Sequence, residues 1–118
     1  MNRFVFKSTQ YAMKTKLVHD VKNKTFKHEI LNAKGNFVIK IQYKIIDGLF
    51  VLYHTEVPKE HRGHQLGHLI YQEVIDYLVK NDIKTALYCP FLVKCLKIYP
   101  NEKINIIRKL PSIEKLKF

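Results

Sequence analysis

Three groups of side chains in this sequence have the types and spacing to do chemistry. The first is the turn Arg62, Gly63, His64, Gln65, followed by apolar residues at Leu66, Leu69, Ile70, Val74, Tyr77 and Leu78. That spacing predicts an amphipathic helix over 66–80, with His68, Gln72, Glu73, Asp76 and Lys80 on its other side. The turn therefore sits at a helix N-terminus, where backbone N–H groups lack acceptors and the helix dipole adds positive charge. Gly63 and Gly67 let the backbone approach a ligand and Arg62 adds a full charge, so the stretch predicts a cradle for a phosphate or pyrophosphate. The second group is His54 and Glu56, near the end of an apolar strand that Pro58 stops. Either could accept a proton in catalysis. The competing readings are a histidine that structures the strand end and a solvated carboxylate. The third is Cys89, immediately before Pro90 and a second helix, a setting that favours a nucleophilic thiolate. The competing reading is a small buried residue that caps a strand. His61, His64 and His68 would converge on a metal only if the first helix began early. Pro58 and Gly63 favour a loop there instead, so no metal site is expected.

The elements that must position these groups follow from periodicity. Apolar runs at 16–21, 25–31, 37–45 and 49–57 read as a meander of strands, with turns at 22–24, around 32–36, and at Asp47-Gly48. Alternation places Phe37, Ile39, Ile41, Tyr43 and Ile45 on a covered face, with Lys40, Gln42 and Lys44 on a largely wet one. The strand at 49–57 is apolar on both faces up to His54 and so should be internal. Unbroken, it would set Phe50, Leu52, His54 and Glu56 on one face and Val51, Tyr53, Thr55 and Val57 on the other. After the helix, Asn81-Asp82 makes a turn and 84–89 gives a short strand. A helical crossover between them makes that strand parallel to 49–57. Pro90 opens a second helix that Pro100 ends, its stripe formed by Leu92, Cys95, Leu96 and Tyr99. Residues 101–118 form a basic tail that reads equally as strand or helix.

At 118 residues the chain is long enough for one core and too short for two, so a single domain over 1–118 is expected, with 1–15 as an extension. No apolar run approaches the roughly 20 residues of a membrane span. Two cysteines, Cys89 and Cys95, fall on different sides of a helix turn, which points to free thiols, a reducing compartment and a cytoplasmic location. The acid-free start, with Arg3, Lys7, Lys14 and Lys16, raises organelle targeting as the less favoured alternative. A net charge of +11 attracts polyanions of every kind, nucleic acid and coenzyme phosphates included, without choosing among them.

The order VPKEHRGHQLG, after a strand and before a helix, resembles the acetyl-CoA-binding motif of the GNAT superfamily of N-acetyltransferases. Its pattern is Gln or Arg, two residues, Gly, one residue, then Gly or Ala. Arg62 and Gly67 match, and Gln65 stands where the pattern has its middle glycine. With HTEVP before it and YCPF after it, the chain resembles a compact single-domain subgroup of that superfamily over residues 16–100. The resemblance implies an α/β (α+β) fold: a mixed, mostly antiparallel sheet with flanking helices, in which the parallel strands 49–57 and 84–89 splay apart. It implies acetyl-CoA as cofactor, held by Arg62, Gly63, His64, Gln65, Leu66, Gly67 and His68 and by the backbone of Glu56 and Val57. It also implies transfer of acetyl to an amine. Because only about one part in a thousand of a lysine-like amine is neutral near pH 7.4, a base is useful, and His54 and Glu56 are its candidates. The subgroup places a cysteine at position 89, close to the expected acyl group, so Cys89 becomes a candidate acceptor of acetyl. In the superfamily a tyrosine on the second helix protonates the departing thiolate. Tyr99 lies on that helix, but at its far end and on its apolar face, and reads as a core tyrosine with one polar handle. Two other readings stand beside an acetyltransferase: a non-catalytic acyl-CoA-binding or regulatory module, suggested by the absent middle glycine, and a nucleic-acid binder, suggested by charge alone. Neither the acceptor nor the oligomeric state follows from the sequence.

Overall fold

The computed structural model describes residues 11–13 and 16–106; the first ten residues and the tail beyond 106, with the expectations attached to them, lie outside these. Six strands form one sheet: β1 (Ala12–Met13), β2 (Val18–Asp20), β3 (Thr25–Asn32), β4 (Gly35–Ile46), β5 (Leu49–Glu56) and β6 (Thr85–Leu87). A short 3-10 turn, Lys59–His61, leads to α1 (Leu66–Lys80), and α2 (Pro90–Ile98) follows β6. The strand order is β1-β3-β4-β5-β6, with β2 also paired to β3. Among these strands all pairings are antiparallel except β5 with β6, which is parallel, as the intervening helix requires; an isolated parallel bridge also joins Thr85 to Ile106. The Asp47-Gly48 hairpin forms as expected: both residues have positive φ, 55° and 76°, which matches a two-residue turn to the twist of its strands.

The helix face of the sheet carries Phe26, Ile30, Ile39, Ile41, Tyr43 and Leu52, all buried. Against it α1 buries Leu66, Leu69, Ile70, Tyr71, Val74, Ile75 and Leu78. At about 1.5–3 kcal/mol for each large side chain, this burial far outweighs the absence of a side-chain N-cap on α1, which costs about 1 kcal/mol. The buried stripe is wider than periodicity suggested, taking in Tyr71 and Ile75, because α1 also packs against α2; the Tyr71 hydroxyl donates to the Tyr99 carbonyl at 3.1 Å. Nor is the other sheet face wholly wet. Ile46, Leu49, Val51 and Ala86 make a second small apolar cluster there, whereas Ile45, expected inside, is 48% exposed.

Two histidines in this frame have opposite circumstances. His28 is 2% exposed beneath the helix layer, and neither ring nitrogen has a hydrogen-bond partner. A buried polar group without a partner costs about 1–3 kcal/mol. His28→Leu is therefore expected to raise stability by about 1 kcal/mol, read as a melting temperature several degrees higher.

His19, in contrast, is fully engaged. Its Nδ1 lies 2.7 Å from the Tyr77 hydroxyl and its Nε2 2.6 Å from that of Tyr43, while the ring stacks on Phe26. A neutral imidazole suits this clasp, one nitrogen accepting a proton from one tyrosine and the other donating to the second. Burial lowers the pKa of His19, against a smaller raising effect of Asp20. The unfolded chain thus takes up the proton first as pH falls, so the clasp stabilises fully above about pH 6.5 and its contribution is lost as pH drops through the depressed folded value. Urea midpoints measured from pH 7.5 to 5 are expected to fall less steeply for His19→Phe than for the wild type. Some slope should remain, because His68 is shifted in the same direction.

Candidate functional site

The parallel pair ends early. Phe50, Val51 and Leu52 pair with Thr85, Ala86 and Leu87, after which the N–H groups of Tyr88 and Cys89 both converge on the Leu52 carbonyl, at 2.9 and 3.1 Å. Strand β5 continues along β4 to Glu56, so the two parallel strands part beyond Leu52 and Leu87. A bulge accompanies the parting. Leu52 pairs with Tyr43 and His54 with Gln42, leaving Tyr53 as the extra residue. One inserted residue exchanges the faces beyond it, which corrects the expectation for an unbroken strand. Thr55 and Val57 turn towards the helix side and line a cleft there. His54 and Glu56 turn to the opposite side, away from Leu52. Their side chains, 48% and 49% exposed, approach each other at 3.5 Å, and Glu56 also lies 3.6 Å from Lys40.

The cleft, of about 450 Å³, is the space between this strand end and the start of α1. Val57, Leu66 and Phe91 give it apolar walls, and Arg62, Gly63, Gln65, Gly67 and His68 line the turn side. The expected cofactor-binding turn, His64 excepted, thus lines this cleft at a helix N-terminus that has no acidic residue in its first turn. Arg62 is anchored by its Nε, which donates to the Val57 carbonyl at 3.1 Å. That carbonyl, expected to face a ligand, thus already has one donor. Gly63 has φ +85°, a conformation natural to glycine, and Gln65, the N-cap of α1, has φ +64°. The left-handed backbone explains why the motif carries glycine where this chain has glutamine: a side chain there costs about 1–2 kcal/mol. Gln65→Gly relieves that cost but adds about 0.4–1 kcal/mol of unfolded-chain entropy that opposes folding, so a net stabilisation of about 0–1.6 kcal/mol is expected, measurable by urea unfolding.

Gly67 has a different reason to be glycine. A Cβ there would lie 2.7 Å from Cζ of Phe91 and 3.0 Å from its Cε2, so the α2 ring rests directly on the α1 backbone. Phe91, Thr55 and His61 line the cleft and were not singled out from the sequence as binding residues. Thr55 was hidden by the unseen bulge, and Phe91 by its place outside the α2 stripe. For His61 the only available sign was its position one residue before Arg62.

Cys89 caps α2, is 8% exposed, and holds its Sγ 3.8 Å from the Thr55 hydroxyl, so it stands behind one wall of the cleft. The structure brings Cys89 to Thr55 and leaves His54 and Glu56 on the far side of β5. Cys95 is core, 1% exposed, its thiol pushed up to about 11 chiefly by burial. Tyr99 proves closer to the cleft than its helix position implied. Its hydroxyl pairs with Nδ1 of His68 at 3.1 Å, and His68 also meets the Phe91 ring edge-on. Burial, with Lys94 second, lowers the pKa of His68, which favours the neutral ring in this contact. Each of the three turn histidines has aromatic partners: His61 pairs with Tyr11 and stacks on Phe37, His64 packs on the Tyr11 ring at 5.3 Å, and His68 pairs with Tyr99.

The sequence model of the family described as GCN5-related N-acetyl-transferase matches residues 27–104, from β3 through α2. Protein NATD1 of Danio rerio is 28% identical over 93 residues, covering 76% of this chain and 81% of that protein. Protein NATD1 of Gallus gallus is 29% identical over 85 residues, covering 70% and 74%. Protein NATD1 of Homo sapiens is 28% identical over 85 residues, covering 70% and 72%. A match spanning well over half of the chain, across a mostly antiparallel sheet with one parted parallel pair, identifies the protein as a member of the GCN5-related N-acetyltransferase family.

Proposed function

We propose that the protein binds acetyl-CoA in the cleft between β5 and α1 and transfers the acetyl group to an amine, with Cys89 as the first acceptor of the acyl group. The observation that carries this reading is the cleft itself, with the first turn of α1 and Arg62 at one side, apolar walls, and Thr55 touching the Cys89 thiol. These residues fit the coenzyme: the first turn of α1 with Arg62 suits its phosphates, and Val57, Leu66 and Phe91 suit its pantetheine arm. The cofactor supplies an activated thioester. With the coenzyme bound, Cys89 would take the acetyl on its sulfur, its proton leaving with the coenzyme thiol; an acceptor amine would then take the acetyl and return a proton to the Cys89 sulfur. The Thr55 hydroxyl orients the thiol. His54 and Glu56, on the other face of β5, are placed to receive the surplus proton of an acceptor arriving from that side.

The reading is tested by incubating the protein with acetyl-CoA and a panel of amines, following acetylated products and the intact protein mass. Product formation, with a single added acetyl on the protein when amine is withheld, supports it. Binding of acetyl-CoA with neither adduct nor product would favour a non-catalytic acyl-CoA-binding module. That second reading has its own observation, the side chain of Gln65 held in a left-handed backbone at the mouth of the cradle.

A further inference from the structure

Three aromatic groups, His61, Phe37 and Tyr11, meet at one side of the cleft outside the matched pattern Arg62–Gly67, and His64 of that pattern also packs on the Tyr11 ring at 5.3 Å. His61, which lines the cleft, stacks on Phe37 of β4 with ring centroids 3.8 Å apart and planes within 6°. Its Nδ1 lies 3.1 Å from the hydroxyl of Tyr11, which directly precedes β1. Tyr11 is itself 7% exposed and meets Phe37 edge-on at 5.8 Å. Stacking fixes the plane of the imidazole and the hydrogen bond fixes its rotation in that plane, so the ring has little freedom left.

From this geometry we infer that His61 is a phosphate donor of the cleft, held in its working tautomer by Tyr11. The inference rests on the acetyl-CoA reading and adds to it a residue and its positioning partner. A tyrosine hydroxyl that donates to Nδ1 leaves the imidazole proton on Nε2. Nε2–H is then the remaining donor of a ring that lines the cleft one residue before Arg62, and a hydrogen bond to a charged oxygen is worth more than one between neutral groups. With Gln65 in place of the motif's middle glycine, a donor from the preceding turn reinforces the cradle. Tyr11 acts through His61 and is a positioning residue. Its place before β1 also ties the N-terminal edge of the sheet to the cleft.

The test is NMR titration with CoA and with inorganic pyrophosphate, alongside the ¹⁵N spectrum of the His61 ring. The variants are His61→Phe, which keeps the stacking, His61→Gln, which restores an amide donor, and Tyr11→Phe. The wild-type ring should show the proton on Nε2. His61→Phe should bind both ligands about tenfold more weakly, with His61→Gln recovering most of that loss. Tyr11→Phe should mix the tautomers and weaken binding about threefold, with no further loss when added to His61→Phe. If the wild type binds CoA and His61→Phe binds it equally well, or if the proton sits on Nδ1, the inference is overturned while the acetyl-CoA reading survives. If the wild type binds neither ligand, both fall.

Discussion

Cys89→Ala is expected to reduce acetyl transfer by roughly a hundredfold or more while leaving acetyl-CoA affinity nearly unchanged. The reasoning separates what the side chain does from what the backbone does. The Cys89 carbonyl accepts the N–H groups of Leu92 and Val93, and its own N–H donates to Leu52, so the start of α2 and the parting of the strands are held by peptide groups that alanine keeps. Only the sulfur is lost, a small buried atom whose removal costs about 1 kcal/mol. Because Cys89 is not among the residues lining the cleft, binding should persist. Rates with a reactive amine, together with intact mass after incubation with acetyl-CoA, check both halves. His54→Gln gives the contrast. It should leave the acetyl adduct on Cys89 and slow only the second transfer, since His54 faces the opposite side of β5. A Cys89→Ala protein with wild-type turnover would mean that acetyl passes directly from coenzyme to amine.

The second large effect is expected at Gly67. Gly67→Val places branched carbon where the Phe91 ring now lies 2.7 Å from an added Cβ, and that ring borders the cleft. The ring is only partly buried and can swing aside, so the fold should survive; the cost falls on the cleft, which loses a wall or is filled by the displaced ring. Coenzyme affinity should drop by more than tenfold, with melting temperature changed by only a few degrees. Phe91→Ala in the same chain removes the collision and should recover part of the affinity. Calorimetric titration of the single and double variants checks this. Equal affinity for wild type and Gly67→Val would show that the ligand does not lie between α1 and Phe91.

Much of this arrangement was legible in the sequence because it depends on local rules. Apolar runs defined β3 to β5, with clean alternation in β4, Asp47-Gly48 defined the hairpin, and Pro90 and Pro100 bracketed the second helix. The helical crossover fixed β6 as parallel. What escaped depends on single residues inside long-range pairings. Nothing in LFVLYHTEV announces that Tyr53 will be skipped, yet that one residue sends Thr55 into the cleft and turns His54 and Glu56 out of it. The short strand β1 was missed because its two residues, Ala12 and Met13, are too few for any period and are held by register with Leu31 and Ile30. Tyr11 and Phe37 could not be tied to His61 for the same reason. Their contacts join positions far apart in sequence. The partner of the Tyr99 hydroxyl could not be named, because helix position alone gave no sign that it would be His68.

The central claim is that the coenzyme binds in the cleft between β5 and the N-terminus of α1, with the acyl-accepting Cys89 behind its Thr55 wall. Its most direct test is the amide NMR spectrum of the protein titrated with acetyl-CoA. The account predicts the largest shifts at Gly63, Gln65, Leu66, Gly67 and His68, with a second group at Thr55 to Val57 and at Phe91. Shifts concentrated elsewhere, or no saturable shift at all, would contradict it.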